Sequence, residues 1–345
     1  GLFEYAAFTC GADLGVFTAG TCAFLESIGV PSDPSDLNLA SIGVAELIGS
    51  QTVTRTVTSI ASDNGWRNYN VEVDAPPGYS VSVSPSSLRL KQGMSASYQV
   101  TITNESAAAG EWAFGSLTWS DATGHYTVRS PIAVRGGPFS APAEVQGSGE
   151  SGSAAFDVIF GYTGSYTAAP HGLTADAPTS GDIGQDPDQT YPSDDDTPDG
   201  VQKIDFPISG AAFVRWSLVI PGDDDLDLFL EDSAGNIIAS STSGGTDELI
   251  ELTLPADDTY TMVVHGWSVP NEPLPYTLHF WEVPLAAGGG SLSVDSAPAS
   301  ATAGTVGTFG VCWSGLAGGT TDLGAVSHNG DAVLLGLTLV EVVNP

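Results

Sequence analysis

Two clusters of aspartate are the first feature with chemical potential: Asp186, Asp188, Asp194, Asp195, Asp196 and Asp199, then Asp223, Asp224, Asp225 and Asp227. Hard carboxylate oxygens close together on a loop are what calcium uses. The first cluster does not fit an EF-hand, because Tyr191 stands where the tight turn needs glycine and Thr197 where the bidentate glutamate belongs. In the second, Asp225 and Asp227 open a strand-like run, and with Asp223 they are the calcium candidates. The competing reading is a solvated acidic loop that holds no cofactor. The five histidines, His125, His171, His265, His279 and His328, are scattered and lack the spacing of a metal set. His279 and Trp281 are two apart and so share a strand face, and His265 precedes Gly266-Trp267 at a strand end. Ordinary packing and hydrogen bonding account for both. With carboxylates this abundant, a close pair is no sign of acid–base catalysis.

Cysteine chemistry is confined to one pair. Cys10 and Cys22 flank a short glycine-containing segment, and in an acidic, strand-rich chain they suggest a disulfide and an oxidising compartment. In the chain-entropy model, closing so short a loop stabilises a fold by about 3 kcal/mol. Two reduced, buried thiols are the alternative. Cys312 alternates with apolar neighbours and reads as a core thiol.

The elements that position these groups are mostly strands. Alternation of period two runs through Thr52–Thr58, Tyr69–Val73, Tyr79–Val83, Ser97–Thr103 and His125–Arg129, with Pro76-Pro77-Gly78 and Gly124 as turns. Short alternating strands at regular intervals describe antiparallel β-sandwiches with one wet face. Only Phe3–Phe8 and Cys22–Ile28 carry a helical period. Alternation stops at Gly136-Gly137-Pro138 and resumes at Ala154–Phe160. A loop rich in Pro, Asp, Gly and Ser runs from about 175 to 200, and seven further strand-like runs follow between Val201 and Val283. A glycine linker, Ala286–Gly290, precedes four or five short strands. The expected fold is therefore all-β, with two sandwiches, the second jelly-roll-like, and a small C-terminal β unit. The expected boundaries are 1–35, 36–136, 137–285 and 286–345.

Charge narrows the function classes. Eight Lys and Arg face 41 Asp and Glu, a net charge of −33. Such a chain is repelled by nucleic acid and by anionic membranes. The acid is uneven: residues 137–285 hold 25 acidic and 2 basic side chains, against 12 and 6 in residues 1–136. That concentration points to a local cause rather than a salt-adapted surface. No run reaches the roughly 18 apolar residues of a membrane helix. The opening Gly-Leu-Phe-Glu, without an initiator Met or leader, reads as a mature fragment or processed product.

A series of motifs over residues 1–136 resembles one family. Asp36–Val44, Val53–Thr58, Val73-Asp-Ala-Pro-Pro-Gly78, Val83–Ser86, Phe114–Asp121 and Val128–Val134 follow one another in order. Together they look like the fibronectin type III-like domain that follows the catalytic domain of subtilisin-like serine proteases. The apolar segment before Pro34 resembles the junction just beyond that catalytic domain. Asp225–Leu230, Ser240–Thr246, Leu254–Ala256 and Tyr260–Trp267 resemble the pre-peptidase C-terminal domain of secreted bacterial peptidases. Val311–Leu316 through Leu339–Val342 looks like a terminal β-module of such proteases. The family's nucleophile segment, Gly-Thr-Ser-Met-Ala-Xaa-Pro, and its Asp and His motifs are absent; Gly245-Thr246-Asp247 and Pro170-His171-Gly172 are turn chemistry. No catalytic residue is assigned.

The resemblance implies a non-catalytic, extracellular and monomeric accessory region. Its partner would be a catalytic subtilisin-like domain in the same polypeptide, with protein or cell-surface substrate recruitment as a further role. A rival reading is a free adhesion or carbohydrate-binding sandwich, for which exposed Trp66 and Trp267 would serve if their rings lay coplanar on one face.

Overall fold

A computed structural model describes residues 2–12, 17, 19–193, 199–222, 224–245, 247–288, 290–331 and 333–345. The chain divides into two compact units. The first comprises residues 1–140, 157–165 and 299–307; the second comprises 141–156, 166–298 and 308–345.

The first unit opens with two helices, α1 (Leu2–Gly11) and α2 (Ala19–Ser27), joined by a Cys10–Cys22 disulfide with Cα atoms 5.6 Å apart. Its strands are β1 (Ile42–Leu47), β2 (Ser50–Thr58), β3 (Arg67–Asp74), β4 (Tyr79–Ser84), β5 (Ser87–Leu90), β6 (Ser95–Asn104), β7 (Trp112–Asp121), β8 (Thr127–Gly136) and β9 (Phe139–Ser140). Strands β1 to β8 form sheets of order β1-β8-β7-β3-β5 and β2-β6-β4. All pairings within the two sheets are antiparallel except β1 with β8. The period of two produces both faces. Val53, Tyr98, Val100, Ile102, Leu117 and Trp119 point into the core. On the wet face, hydroxyls pair across β2 and β6: Thr52 with Thr101, Thr56 with Ser97 and Thr58 with Ser95, each at 2.8 Å.

β2 is an edge strand, and an uncovered edge invites pairing with another chain. Here Asp36 Oδ1 accepts from Thr54 N–H at 2.8 Å, and Asn38 Oδ1 accepts from Thr56 N–H at 2.9 Å. Residues two apart on the incoming segment thus match N–H groups two apart on the strand. The Asp36-Leu37-Asn38 motif is an edge cover.

The second unit contains β10 (Glu144–Ser148), β11 (Ser151–Phe160), β12 (Tyr166–Ala175), β13 (Thr179–Ile183), β14 (Val201–Ile208), β15 (Ala211–Val219), β16 (Asp225–Glu231), β17 (Ile237–Ser241), β18 (Asp247–Thr253), β19 (Asp258–Ser268), β20 (Leu274–Pro284), β21 (Leu292–Ser296), β22 (Val306–Ser314), β23 (Thr321–Gly330) and β24 (Val333–Val343), the end of β11 and the start of β22 counting with the first unit. An inner sandwich stacks sheet β13-β20-β15-β18 on sheet β14-β19-β16-β17 around Trp216, Leu218, Leu226, Leu228, Met262, Val264 and Leu278.

The remaining strands depart from the expected boundaries. Residues 286–345 do not stand apart as their own β unit: β23 pairs with β12 (Tyr166↔Gly330), and β24 runs parallel to β10 (Glu144↔Leu339). The inner sandwich is therefore inserted between the halves of an outer one. The physical reason lies in the core. The Trp313 indole lies against Gly147 and Gly152, where a Cβ would come within 2.3 and 2.6 Å of ring carbons, and its Nε1 donates to Gly149 O at 3.0 Å. Neither set of strands closes around that ring alone.

The two sandwiches of this unit meet through Phe213, Trp281, Val283, Leu323, Ala325 and Leu339. Beside this patch Arg215, largely buried, binds Glu144 at 2.5 Å, Glu251 at 2.6 Å and Glu341 at 3.0 Å. Removing one partner of a fully buried ion cluster is strongly destabilising, but these glutamates are 21–35% exposed, so solvent relieves part of the loss and the cost is about 1–3 kcal/mol. Arg215→Met is expected to lose that order of stability in urea unfolding at neutral pH. The deficit should shrink in acid, since burial and the nearby Glu144 already push the Glu341 carboxyl up. A variant as stable as the parent at neutral pH would show that the cluster is not a fastening.

Candidate functional site

The polar groups that the sequence singled out converge on the outer face of sheet β14-β19-β16-β17. Along β16, Leu226, Leu228 and Leu230 face the inner core, so Asp225, Asp227 and Phe229 face the other way. His265 lies opposite Asp227 on β19. Segment 184–193 crosses over these strands. It lies close enough that a Cβ on Gly266 would fall 2.0 Å from Gly184 O, which is why glycine separates His265 from Trp267. Gln185 pins the crossing: its Nε2 donates to Trp267 O at 2.8 Å, and its Oε1 accepts from Val269 N–H at 2.7 Å.

This crossing brings Asp186 onto His265. The imidazole, 1% exposed, has Nδ1 at 3.2 Å from Asp227 Oδ2 and Nε2 at 3.2 Å from Asp186 Oδ2; Asp186 is 0% exposed. Burial alone lowers the pKa of His265, but the bonds and charges of Asp227 and Asp186 outweigh it, so the value is raised. A cleft of about 550 Å³ opens beside it, lined in part by Tyr191, Asp225, Asp227, Phe229, His265 and Trp267. Tyr191 is fixed by donating its hydroxyl to Glu231, which also binds Lys203 Nζ at 3.0 Å. Burial and the Glu231 bond push that phenol up to about 12.

The arrangement does not suit acid–base or nucleophilic work. A general base needs a free lone pair within reach of the proton that it takes, and both ring nitrogens of His265 face carboxylates. Calcium needs six to eight oxygens around one point. Among the described residues no group of three or more His, Cys, Asp or Glu side chains is placed to hold a metal. Of the calcium candidates, Asp227 is engaged by His265, Asp225 is pushed up by burial, and Asp223 lies outside the described residues. Asp194, Asp195, Asp196 and Thr197 lie outside them too. What the site offers is ring faces, carboxylate and a cleft.

The other sequence candidates serve structure. His171 binds Pro284 O and Ser327 Oγ, at 3.1 and 2.9 Å. His279 binds Asp176 and stacks on Trp281, with ring centroids 5.9 Å apart. His328 lies between Tyr166 and Thr338, where burial lowers its pKa to about 4. His125 Nδ1 meets Thr123 Oγ1 at 2.8 Å. Arg89 and Lys91 lie over the Trp66 ring, and Trp267 lines the cleft beside His265. Sequence reasoning missed Gln185, and it named Asp186 in an acidic cluster without pairing it with His265. Asp186 was counted in a loop, and nothing in its neighbourhood signals a partner 79 residues away.

Comparison with known proteins bears on the first unit. Residues 36–134 match a fibronectin type-III domain. The "CO(2)-response secreted protease" of Arabidopsis thaliana is 39% identical over 141 residues, 38% of this chain and 18% of that protein. Subtilisin-like protease SBT5.1 of the same plant is 40% identical over 108 residues, 30% of this chain and 14% of that protein. The matched region thus spans less than a fifth of each of these relatives. Among solved structures, the secreted serine protease VesC from Vibrio cholerae has a TM-score of 0.23 at 10% identity, covering 70% of this chain and 49% of that one. The pre-peptidase C-terminal domain of collagenase from Bacillus anthracis has a TM-score of 0.24 at 13% identity, covering 40% of this chain and 96% of that domain.

Two of the buried histidines, His265 and His328, are expected to have pKa values shifted in opposite directions. His265 has a folded pKa above the ordinary 6.5, so its stabilisation is complete below 6.5 and is lost as pH rises through the folded value. His328 is neutral when folded, so its contribution is complete above 6.5 and is lost as pH falls towards about 4. Ring-nitrogen NMR titration separates them. Equal, unperturbed midpoints would contradict both environments.

Proposed function

We propose that this chain is the non-catalytic C-terminal accessory region of a secreted subtilisin-like serine endopeptidase. In this reading it stabilises and positions a catalytic domain carried in the same polypeptide. Residues 36–136 would be its fibronectin type III-like module, and the strands beyond them its pre-peptidase-like sandwiches. The similarity of the first unit to regions of subtilisin-like proteases supports the family. The named secretion of one relative, together with the Cys10–Cys22 disulfide, supports an extracellular setting.

One observation carries the docking role. Helix α1, Leu-Phe-Glu-Tyr-Ala-Ala-Phe-Thr-Cys-Gly, is apolar on almost every face, and such a helix belongs inside a larger body. Here only Ala7 is buried, while Leu2, Phe3 and Tyr5 are 82%, 58% and 55% exposed. Phe24 and Ile28 beside α2 add to the same apolar hairpin, which the disulfide holds in shape. Full burial of one such side chain is worth about 1.5–3 kcal/mol. A handful of them against a neighbouring domain makes a fastening comparable to the stability of a domain.

The test compares the isolated 345-residue chain with its parent polypeptide. The chain alone should hydrolyse no peptide ester and take no fluorophosphonate label, whereas the parent should be labelled at a serine outside this sequence. Replacing Leu2, Phe3 and Tyr5 by serine should lower the thermal midpoint of the parent enzyme by several degrees and leave that of the isolated chain unchanged. Turnover by the isolated chain, or a parent lacking a serine-nucleophile segment, would contradict the assignment.

A further inference from the structure

The cleft beside His265 plays no part in the docking just described, yet it has the properties of a binding site. Its floor consists of alternate residues on two neighbouring strands: Asp225, Asp227 and Phe229 of β16, with His265 and Trp267 of β19. Tyr191 forms a wall. Rings follow one another across it in tilted and edge-on contacts: Tyr191 to Phe229 at 5.1 Å, Phe229 to His265 at 6.0 Å and His265 to Trp267 at 6.5 Å.

Charge and an unused acceptor specify the occupant. One imidazolium between Asp186 and Asp227 leaves a negative charge in excess, and Asp225 adds another. The Asp225 carboxylate receives the Gly245 N–H, but its Oδ1 is shielded from water and has no partner among the described residues. A buried acceptor left unpaired is unfavourable, and a donor arriving from outside removes that penalty. The unit has no basic side chain to spare. Its Lys and Arg are Lys203, held by Glu231, and Arg215, held by three glutamates.

A divalent ion would need converging oxygens, which the described residues do not supply. A guanidinium needs less: a carboxylate edge for its fork of N–H donors and an aromatic face for its plane. Both are present, in a cleft large enough for a side chain. We propose that this cleft binds an arginine side chain of a partner polypeptide. The Asp225 carboxylate turns about its terminal torsion to bring the unpaired oxygen to the guanidinium, and the rings of Tyr191, Phe229 and Trp267 enclose its plane and stem.

The experiment uses the full chain with ¹⁵N-labelled tryptophan and histidine and the probe acetyl-Gly-Arg-Gly-amide. Trp267 and His265 resonances should shift saturably in the millimolar range, and the citrulline analogue, which keeps the shape without the charge, should shift neither. Asp225→Asn, close to isosteric, should weaken binding by about tenfold, the order expected for a charge-assisted hydrogen bond. Trp267→Ala, at a part-exposed position, should weaken it as well while the protein stays folded. Equal shifts with arginine and citrulline peptides would overturn the proposal. So would the absence of any shift, or saturable shifts with calcium chloride but none with the arginine peptide. The isolated chain suffices for this test, so its result is independent of whether α1 docks on a protease domain.

Discussion

In the second unit a scarcity of positive charge governs the packing. Two side chains, Lys203 and Arg215, serve a long acidic segment, and each is spent on fastening. Arg215 is the more consequential. It reaches one glutamate on its own sheet and two on the outer sandwich, so the insertion of one sandwich into another is held where apolar contact and charge coincide. Without that cation, Glu144 and Glu341 would repel Glu251 across a partly dry contact, and the attraction of Phe213 and Trp281 for Leu323 and Leu339 would have to overcome it. His265 solves the same problem on the opposite sheet. Lys203, on the same sheet, is taken by Glu231, so an imidazole stands between Asp186 and Asp227.

The sequence carried the sheets plainly, because a period of two needs only local reading. Thr52–Thr58 alternates, and its threonines form the hydroxyl ladder facing β6. The pairing of Cys10 with Cys22 was also legible, since only one pair of cysteines is close. The insertion of the inner sandwich was not. Strands β10 and β12 look complete up to residue 175, and nothing in them states that their partners lie beyond residue 320. Strands on both sides of the glycine linker at 286–290 belong to the second unit. Asp225 and Asp227 share one strand face, but Asp186 and His265, which meet Asp227, arrive from distant segments that local reading does not connect.

The two units divide the work. The first carries the family likeness, covers its own edge strand with Asp36 and Asn38, and leaves an apolar, disulfide-held hairpin in water. The second carries most of the acid, keeps its histidines engaged and opens a charged, aromatic cleft. Nothing among its described residues resembles an activated nucleophile.

Amide hydrogen exchange over residues 2–28 is the most direct measurement of the central claim, that the α1–α2 hairpin is seated against a catalytic domain. The amides of α1 and α2 should exchange quickly in the isolated 345-residue chain and be protected by orders of magnitude in the parent polypeptide, while those of β6 and β7 are equally protected in both. Equal exchange of the hairpin in the two proteins would mean that its apolar surface faces water in the enzyme as well, and would contradict the account.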